Sequence, residues 1–379
     1  MKKKYIILSI ITLVLLIIFV TSFNYFKTSN TYVENNSNNQ TKITKGISMN
    51  LEQTAGAGDY KQVTQSSWPT EGYKFNAELS KCENGGEISW DDTKKAVIVS
   101  GNLSDKCYVY FDIYQLTLVE YIKSQYTGTQ GDNALYYHSS TLTNGAGDNS
   151  YRYAGASDSV NNYICLGSDV ATCPDANLFR IIGVFRDKTK VIRAKSVGYK
   201  EWHTLKSNTW SSSSLNTYLN GEYLTSLGTL VGKIATTTWK VGGASWSNIV
   251  TSVPKAYKNE VGSSASTTTY DAKIGLMYVS DYYYSASPSA WTLMGYNPSD
   301  ATKDYRAAKT INWLYGKESE WTISRRSDTT DEAFMVGGIE SVDNQYVTVN
   351  AVARPSFNLE SSVKYVSGSG SMSDPVRIK

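Results

Sequence analysis

Residues 5–23, YIILSIITLVLLIIFVTSF, form an apolar run without a charge, directly after Lys2, Lys3 and Lys4. As a helix this run would extend roughly 28 Å, close to the ~30 Å hydrocarbon core of a bilayer. It is apolar on every face, which a half-buried globular helix is not. The three lysines stay cytoplasmic by the positive-inside tendency, so the chain beyond is translocated. A cleavable signal peptide has a shorter apolar core of about 7–15 residues. The only tolerable cleavage site is Val20-Thr21-Ser22. Residues 1–23 therefore read as an uncleaved signal anchor, a transmembrane helix that makes the membrane the first expected partner. The expected location is the cell membrane, single-pass with the C-terminal domains extracellular; the alternative is secretion after cleavage.

Translocation changes how the cysteines read. Cys82, Cys107, Cys165 and Cys173 all lie beyond the apolar run, and an even count in an exported chain favours disulfides. Sequence order suggests Cys82 with Cys107 and Cys165 with Cys173, each closing a local loop. Zinc is a poor alternative because no C-x-x-C pair and no His-x-x-x-His is present.

Residues 24–46 are rich in Asn, Thr, Ser and Lys and read as a flexible stalk. Residues 47–112 read as a small β domain. Within it, ISWDDTKKAVIVSG supplies two extended runs around Asp91-Asp92-Thr93, and CYVYFD a further strand. So short a segment buries a thin core, which a Cys82–Cys107 link would reinforce.

Residues 113–379 read as a larger mixed α+β domain. LTLVEYIKSQY places Leu116, Val119, Tyr121 and Ile122 at helical spacing. NNYICLGS, NLFRIIGVFRD and KVIRAKSVGY read as strands, the last two forming a hairpin about Asp187-Lys188-Thr189. SSSSLNTYLNGEYLTSLG predicts a helix with serine caps. Strands are expected again at DAKIGLMYVS, SEWTISRR, EAFMVGGI and QYVTVNAVARPSFNL, whereas residues 242–269 are Ser/Thr-rich and poorly patterned.

No catalytic pattern stands out. G-x-S-x-G is absent, as is a Gly-rich phosphate loop before Lys-Ser or Lys-Thr. His138 and His203 lack a neighbouring nucleophile pattern and read as ordinary histidines. The pairs Asp91-Asp92 and Asp331-Glu332 read as solvated turns, since adjacent strand residues point to opposite faces. No metal ligand set and no cofactor is expected. The net charge is only +3 and the basic residues are dispersed, which argues against nucleic acid as a partner.

The aromatic residues offer more. Twenty-nine Tyr and nine Trp stand against two His. Such rings suit strands, and in exported loops they also stack on sugars or pack on partner proteins. Tyr282, Tyr283 and Tyr284, followed by Trp291 and Tyr296, are the first ligand-binding candidates, because three successive rings on a strand would leave at least one exposed. Trp239 and Trp246, bracketing Gly242-Gly243, are weaker candidates. Trp313 and Trp321 read as core. Arg354 lies in the apolar strand VNAVARPSFNL and needs a buried partner; Asp281 is the expected mate in a structural salt bridge.

CENGGEISWDDTKKAVIVSGNLSDKCYVYFD resembles a cysteine-bearing module of uncharacterised surface proteins from gut-dwelling Gram-positive bacteria. NYICLGSDVATCPDANLFRIIGVF, SLNTYLNGEYL, IGLMYVSDYYY, INWLYG, EWTISRRS and VARPSFNLESSVKYVSGSGSMSDPV are similar, in that order, to a domain of unknown function in the same proteins. The closing block, with Trp321, Ala333, Phe334, Arg354 and Pro355, is similar to the end of C-type-lectin-like and sulfatase-modifying domains. That similarity implies an irregular antiparallel core with a long variable loop region. The calcium-lectin triplets and the late cysteine pair of sulfatase-modifying enzymes are absent. The expectation is a membrane-anchored surface binding protein or adhesin for a glycan or a protein. A cell-envelope glycan hydrolase and a structural or assembly subunit are the alternatives.

Overall fold

The computed structural model describes residues 46–64, 68–69, 72–101, 105–338 and 341–379. The expected anchor, and all of the expected stalk except Gly46, lie outside the described residues. The chain divides into two units, Met1–Gln115 and Leu116–Lys379.

In the first unit, strand Ile47–Glu52 pairs antiparallel with Tyr60–Val63 on one side and parallel with Cys107–Ile113 on the other; Tyr73–Cys82 completes the sheet. Alternation along Cys107–Ile113 sends Cys107, Val109 and Phe111 inward, where they meet Met49, Leu51 and Val97. Trp90, from the separate hairpin Glu87–Asp91/Ala96–Ser100, packs edge-on against Phe111 at 5.5 Å. Few residues fill this core. Cys82 and Cys107 are register partners joined by a disulfide, which closes a loop worth about 3 kcal/mol on the chain-entropy estimate.

In the second unit, a nine-stranded sheet is built around Leu178–Phe185 and Lys188–Arg193. The hairpin is tighter than the sequence predicts. Phe185 pairs with Lys188, so the turn is Arg186-Asp187, with Arg186 in the left-handed region at φ 59°. Seven of the eight residues of Leu178–Phe185 are buried, as expected for a continuous apolar run covered on both faces. A five-stranded sheet runs Tyr199–Glu201, Asn350–Val352, Ser319–Arg325, Glu332–Gly337, Ser341–Tyr346. Helices are short: Leu118–Ser124, a broken helical run from Ser214 to Ser226, Trp246–Ile249, Val253–Glu260 and Val279–Tyr284. Two of them, Trp246–Ile249 and Val253–Glu260, occupy the segment whose sequence is poorly patterned.

The expected fold class is thereby corrected. In place of a mixed α+β, lectin-like domain, the described residues are dominated by β-sheet, 35% strand against 20% helix. Among the described residues no helix is long and apolar enough to cross a membrane. Among the described residues the α-helices are short, the longest being the eight residues Val253–Glu260, and the strands carry most of the regular structure.

Gly183 sits where Leu178–Phe185 meets Tyr151–Tyr153. A Cβ there would lie 2.2 Å from the Tyr151 carbonyl oxygen. Gly183→Ala is expected to push these strands apart and cost about 1–3 kcal/mol, measured as a lower urea midpoint at unchanged m-value.

Candidate functional site

The first aromatic candidates are not at the surface. Tyr282, Tyr283 and Tyr284 are 0%, 0% and 1% exposed, because the segment is a helix, Val279–Tyr284, buried on all sides. Tyr305 reinforces it by donating its hydroxyl to the Tyr283 carbonyl at 2.9 Å. Trp291 is also buried, with its indole N–H on the Ala286 carbonyl at 2.9 Å. Trp239 is buried with its N–H on the Ala272 carbonyl at 3.1 Å. Trp246 is half-buried and stacks on Phe334 at 6.1 Å. Tyr296 alone of the candidates is exposed, and the Arg306 guanidinium lies 4.6 Å from its ring centre. Trp313 and Trp321 lie in the core.

The salt-bridge expectation is also corrected. Arg354 donates Nε to Glu320 at 2.8 Å and Nη2 to the Leu314 carbonyl at 2.7 Å. Asp281 instead accepts from Lys190 Nζ at 2.5 Å. Two further buried cations were not singled out from the sequence. Arg152 donates to Asp148 at 2.7 Å beneath the rings of Phe185, Tyr257 and Tyr284. Arg180 is satisfied without a carboxylate by Asn162, Ser157 and the Val160 carbonyl, and burial pushes its pKa down to about 10. The available signal was a charge inside an apolar strand pattern, as in LFRIIGVF and KTKVIR. His138 packs edge-on against Tyr284 at 4.8 Å. Burial first, then the Arg152 charge, hold its pKa well below the usual imidazole value, so it is neutral. These groups are sealed in the interior and act in packing.

An exposed tyrosine with polar neighbours lies at the edge of the five-stranded sheet. Strand Tyr199–Glu201 follows Gly198, whose φ of 92° suits a residue without a side chain. It is held down by Trp202, fully buried, with its indole N–H on the Thr322 carbonyl at 3.0 Å. Helix Ser214–Tyr218 lies beside the strand; Ser213 caps it, and the Ser214 hydroxyl accepts from the Thr204 N–H at 3.0 Å. Between them is an open cleft of about 260 Å³, lined by Tyr199, Glu201, Thr204, Ser214, Tyr218 and Asn350 among others. Tyr199 is 60% exposed and donates its hydroxyl to Glu318. Lys200 Nζ lies 4.1 Å from the Tyr218 ring centre and covers part of that ring. The more exposed ring is that of Tyr199, and an ammonium, a carboxylate, an amide and hydroxyls line the same cleft.

Among the described residues no cluster of His, Cys, Asp or Glu is arranged to hold a metal ion. The pairs Cys82–Cys107 and Cys165–Cys173 are both disulfides, the chemistry of an oxidising, extracellular environment. Searches of family models, curated proteins and solved structures find no match to this chain.

Proposed function

We propose that the protein is an extracellular binding protein and that the cleft beside Tyr199 receives a glycan. One observation carries this reading: a well-exposed tyrosine stands beside Glu201, Asn350, Thr204 and Ser214 in a shallow cleft. The flat ring suits the C–H face of a sugar, and the surrounding carboxylate, amide and hydroxyls suit its hydroxyl groups. Glycoside hydrolysis would need two convergent carboxyl groups, and Glu201 is the one carboxylate among the residues lining this cleft. Binding fits that lining better than turnover. The apolar run at residues 5–23 would hold the binding face at the cell surface.

A glycan array with the full chain, followed by titration of the best sugar, tests the proposal. Tyr199→Ala is expected to weaken binding about tenfold, the loss of one stacking contact worth roughly 1.4 kcal/mol. An unchanged affinity would move the site elsewhere. Failure to bind any glycan, together with capture of a protein ligand sensitive to Tyr199→Ala, would replace the sugar by a protein.

A further inference from the structure

Stretches of the second unit that lie far apart in sequence wall a pocket of about 100 Å³. Tyr121 and Gln125 come from helix Leu118–Ser124 and its C-cap, and Asn133 from the short helical turn Asp132–Ala134. Tyr153 ends the strand Tyr151–Tyr153, and Asn161 lies just before the strand Tyr163–Cys165. The closing hairpin, Tyr365–Ser367 with Val376–Ile378, supplies Ser369 and Val376. Burial orders these residues by depth. Tyr153 and Val376, 4% and 2% exposed, form the floor. Tyr121 and Gln125 are half-buried walls, and Asn133, Asn161 and Ser369 are exposed at the mouth.

The walls are tied to one another. Asn133 Nδ2 donates to the Gln125 carbonyl at 2.8 Å. The Tyr121 hydroxyl donates to the Gly368 carbonyl at 3.2 Å, and its ring stacks on that of Tyr365 with centroids 3.8 Å apart. The Tyr163 N–H donates to the Gly370 carbonyl at 2.8 Å, which fastens the hairpin loop beside Asn161.

The floor holds a donor with nothing to donate to. The Tyr153 carbonyl accepts from the Trp313 indole N–H at 2.8 Å, but the Tyr153 hydroxyl makes no hydrogen bond among the described residues. Unlike the hydroxyls of Tyr282 and Tyr283, it is not sealed in, so the pocket is what reaches it. Burial first, then the neighbouring Tyr121 phenol, raises its pKa, and it keeps its proton. One water needs only about 10–15 Å³, so the space exceeds what satisfying this group requires.

The lining selects the chemistry of an occupant. No charged side chain lines the pocket, and apart from Val376 every lining residue carries a hydroxyl or a carboxamide. An ion entering it would lose water without meeting a counter-charge. An apolar group would leave the phenols and amides unpaired. A neutral ring bearing several hydroxyls meets neither objection, because each hydroxyl both donates and accepts. We propose that this pocket binds a single uncharged sugar ring, with the Tyr153 hydroxyl as the buried donor to it. The site shares no lining residue with the cleft beside Tyr199 and does not rest on that reading.

Titration calorimetry of the full chain with glucose, galactose, mannose, N-acetylglucosamine and glucuronic acid tests this. The expected result is saturable binding of at least one of the four neutral sugars, tighter than that of glucuronic acid. Tyr153→Phe keeps the buried ring and removes only the donor, and is expected to weaken that binding about five- to tenfold. Gln125→Ala, on the half-buried wall, is expected to weaken it as well and tests the pocket without touching the floor. Tyr199→Ala is expected to leave it unchanged. No saturable binding of any neutral sugar would leave the pocket to water and overturn the proposal. So would tightest binding of glucuronic acid, or an affinity unchanged in both Tyr153→Phe and Gln125→Ala. Binding lost in Tyr199→Ala but kept in Tyr153→Phe would place the sugar in the other cleft, overturning this site while supporting that one.

Discussion

Tyr283→Ala is expected to lower the unfolding free energy by about 3–5 kcal/mol, the usual cost of deleting a fully buried aromatic ring. Tyr283→Phe is expected to stay within about 1 kcal/mol of wild type, or to stabilise. The contrast follows from two observations. The ring is fully buried and packs edge-on against Tyr305 at 4.5 Å, so its removal leaves a cavity. Its hydroxyl is buried and has no hydrogen-bond partner among the described residues, so removing that oxygen forfeits none of their hydrogen bonds and relieves a desolvated polar group. Urea denaturation of the three proteins measures both differences. A surface ligand-binding ring would behave oppositely: stability would be unchanged in the Ala variant and ligand binding would fall. Equal losses for Phe and Ala would show that the hydroxyl, not the ring, carries the stability.

The second large effect is expected at Arg354. Arg354→Met leaves Glu320 buried at 2% exposure without its cation, and leaves the Leu314 carbonyl without its donor. Breaking one side of such a pair costs about 3–5 kcal/mol at neutral pH. The pH dependence has a definite sign. Burial raises the pKa of Glu320 above its ordinary 4.5, although Arg354 pulls it down. The folded state therefore binds this proton more tightly than the unfolded state does. Stability from this group is fully present below pH 4.5 and declines as pH rises through the raised folded value. Without Arg354 one lowering influence is gone, so the raise is larger and the loss at neutral pH greater. The gap between variant and wild type should narrow on acidification towards the carboxylate range. Denaturation at several pH values reads this directly. A gap constant with pH would mean that the lost guanidinium packing, not the stranded carboxylate, causes the destabilisation.

Much of the strand set was legible because it depends on near neighbours. CYVYFD, NLFRIIGVF, SEWTISRR and EAFMVGGI all contain strands in the structure, and each combines β-branched or aromatic residues with a turn signal close by. The first helix carried a further signal that apolar spacing alone passes over. Thr117 and Glu120 form a capping box, T-x-x-E, which marks the helix start at Leu118. The run DAKIGLMYVS misled. Its strand character ends at Gly275, and a helix begins at Val279. Glu260 and Asp281 both cap that helix start, and Glu260 is 19 residues away from the first N–H it accepts.

The candidate site was harder to read for the same reason. Three tyrosines in a row imply exposure only if they lie on a strand. Once they form a helix covered on every side, the exposed ring has to be sought elsewhere. Tyr199 was unremarkable in sequence, and its companions come from residues 214–218 and from Asn350.

By itself, the sequence determined what short range can decide: an apolar run following three lysines, two local disulfide loops, and most of the strands. The tertiary structure alone decided which rings are buried and which charges meet. Arg354 finds Glu320 across 34 residues and Lys190 finds Asp281 across 91. The reason is physical. Backbone propensity and loop closure are settled between neighbours in the chain. A buried charge, by contrast, takes the partner that the packing of sheets and helices brings within reach, and chain distance sets no preference among candidates.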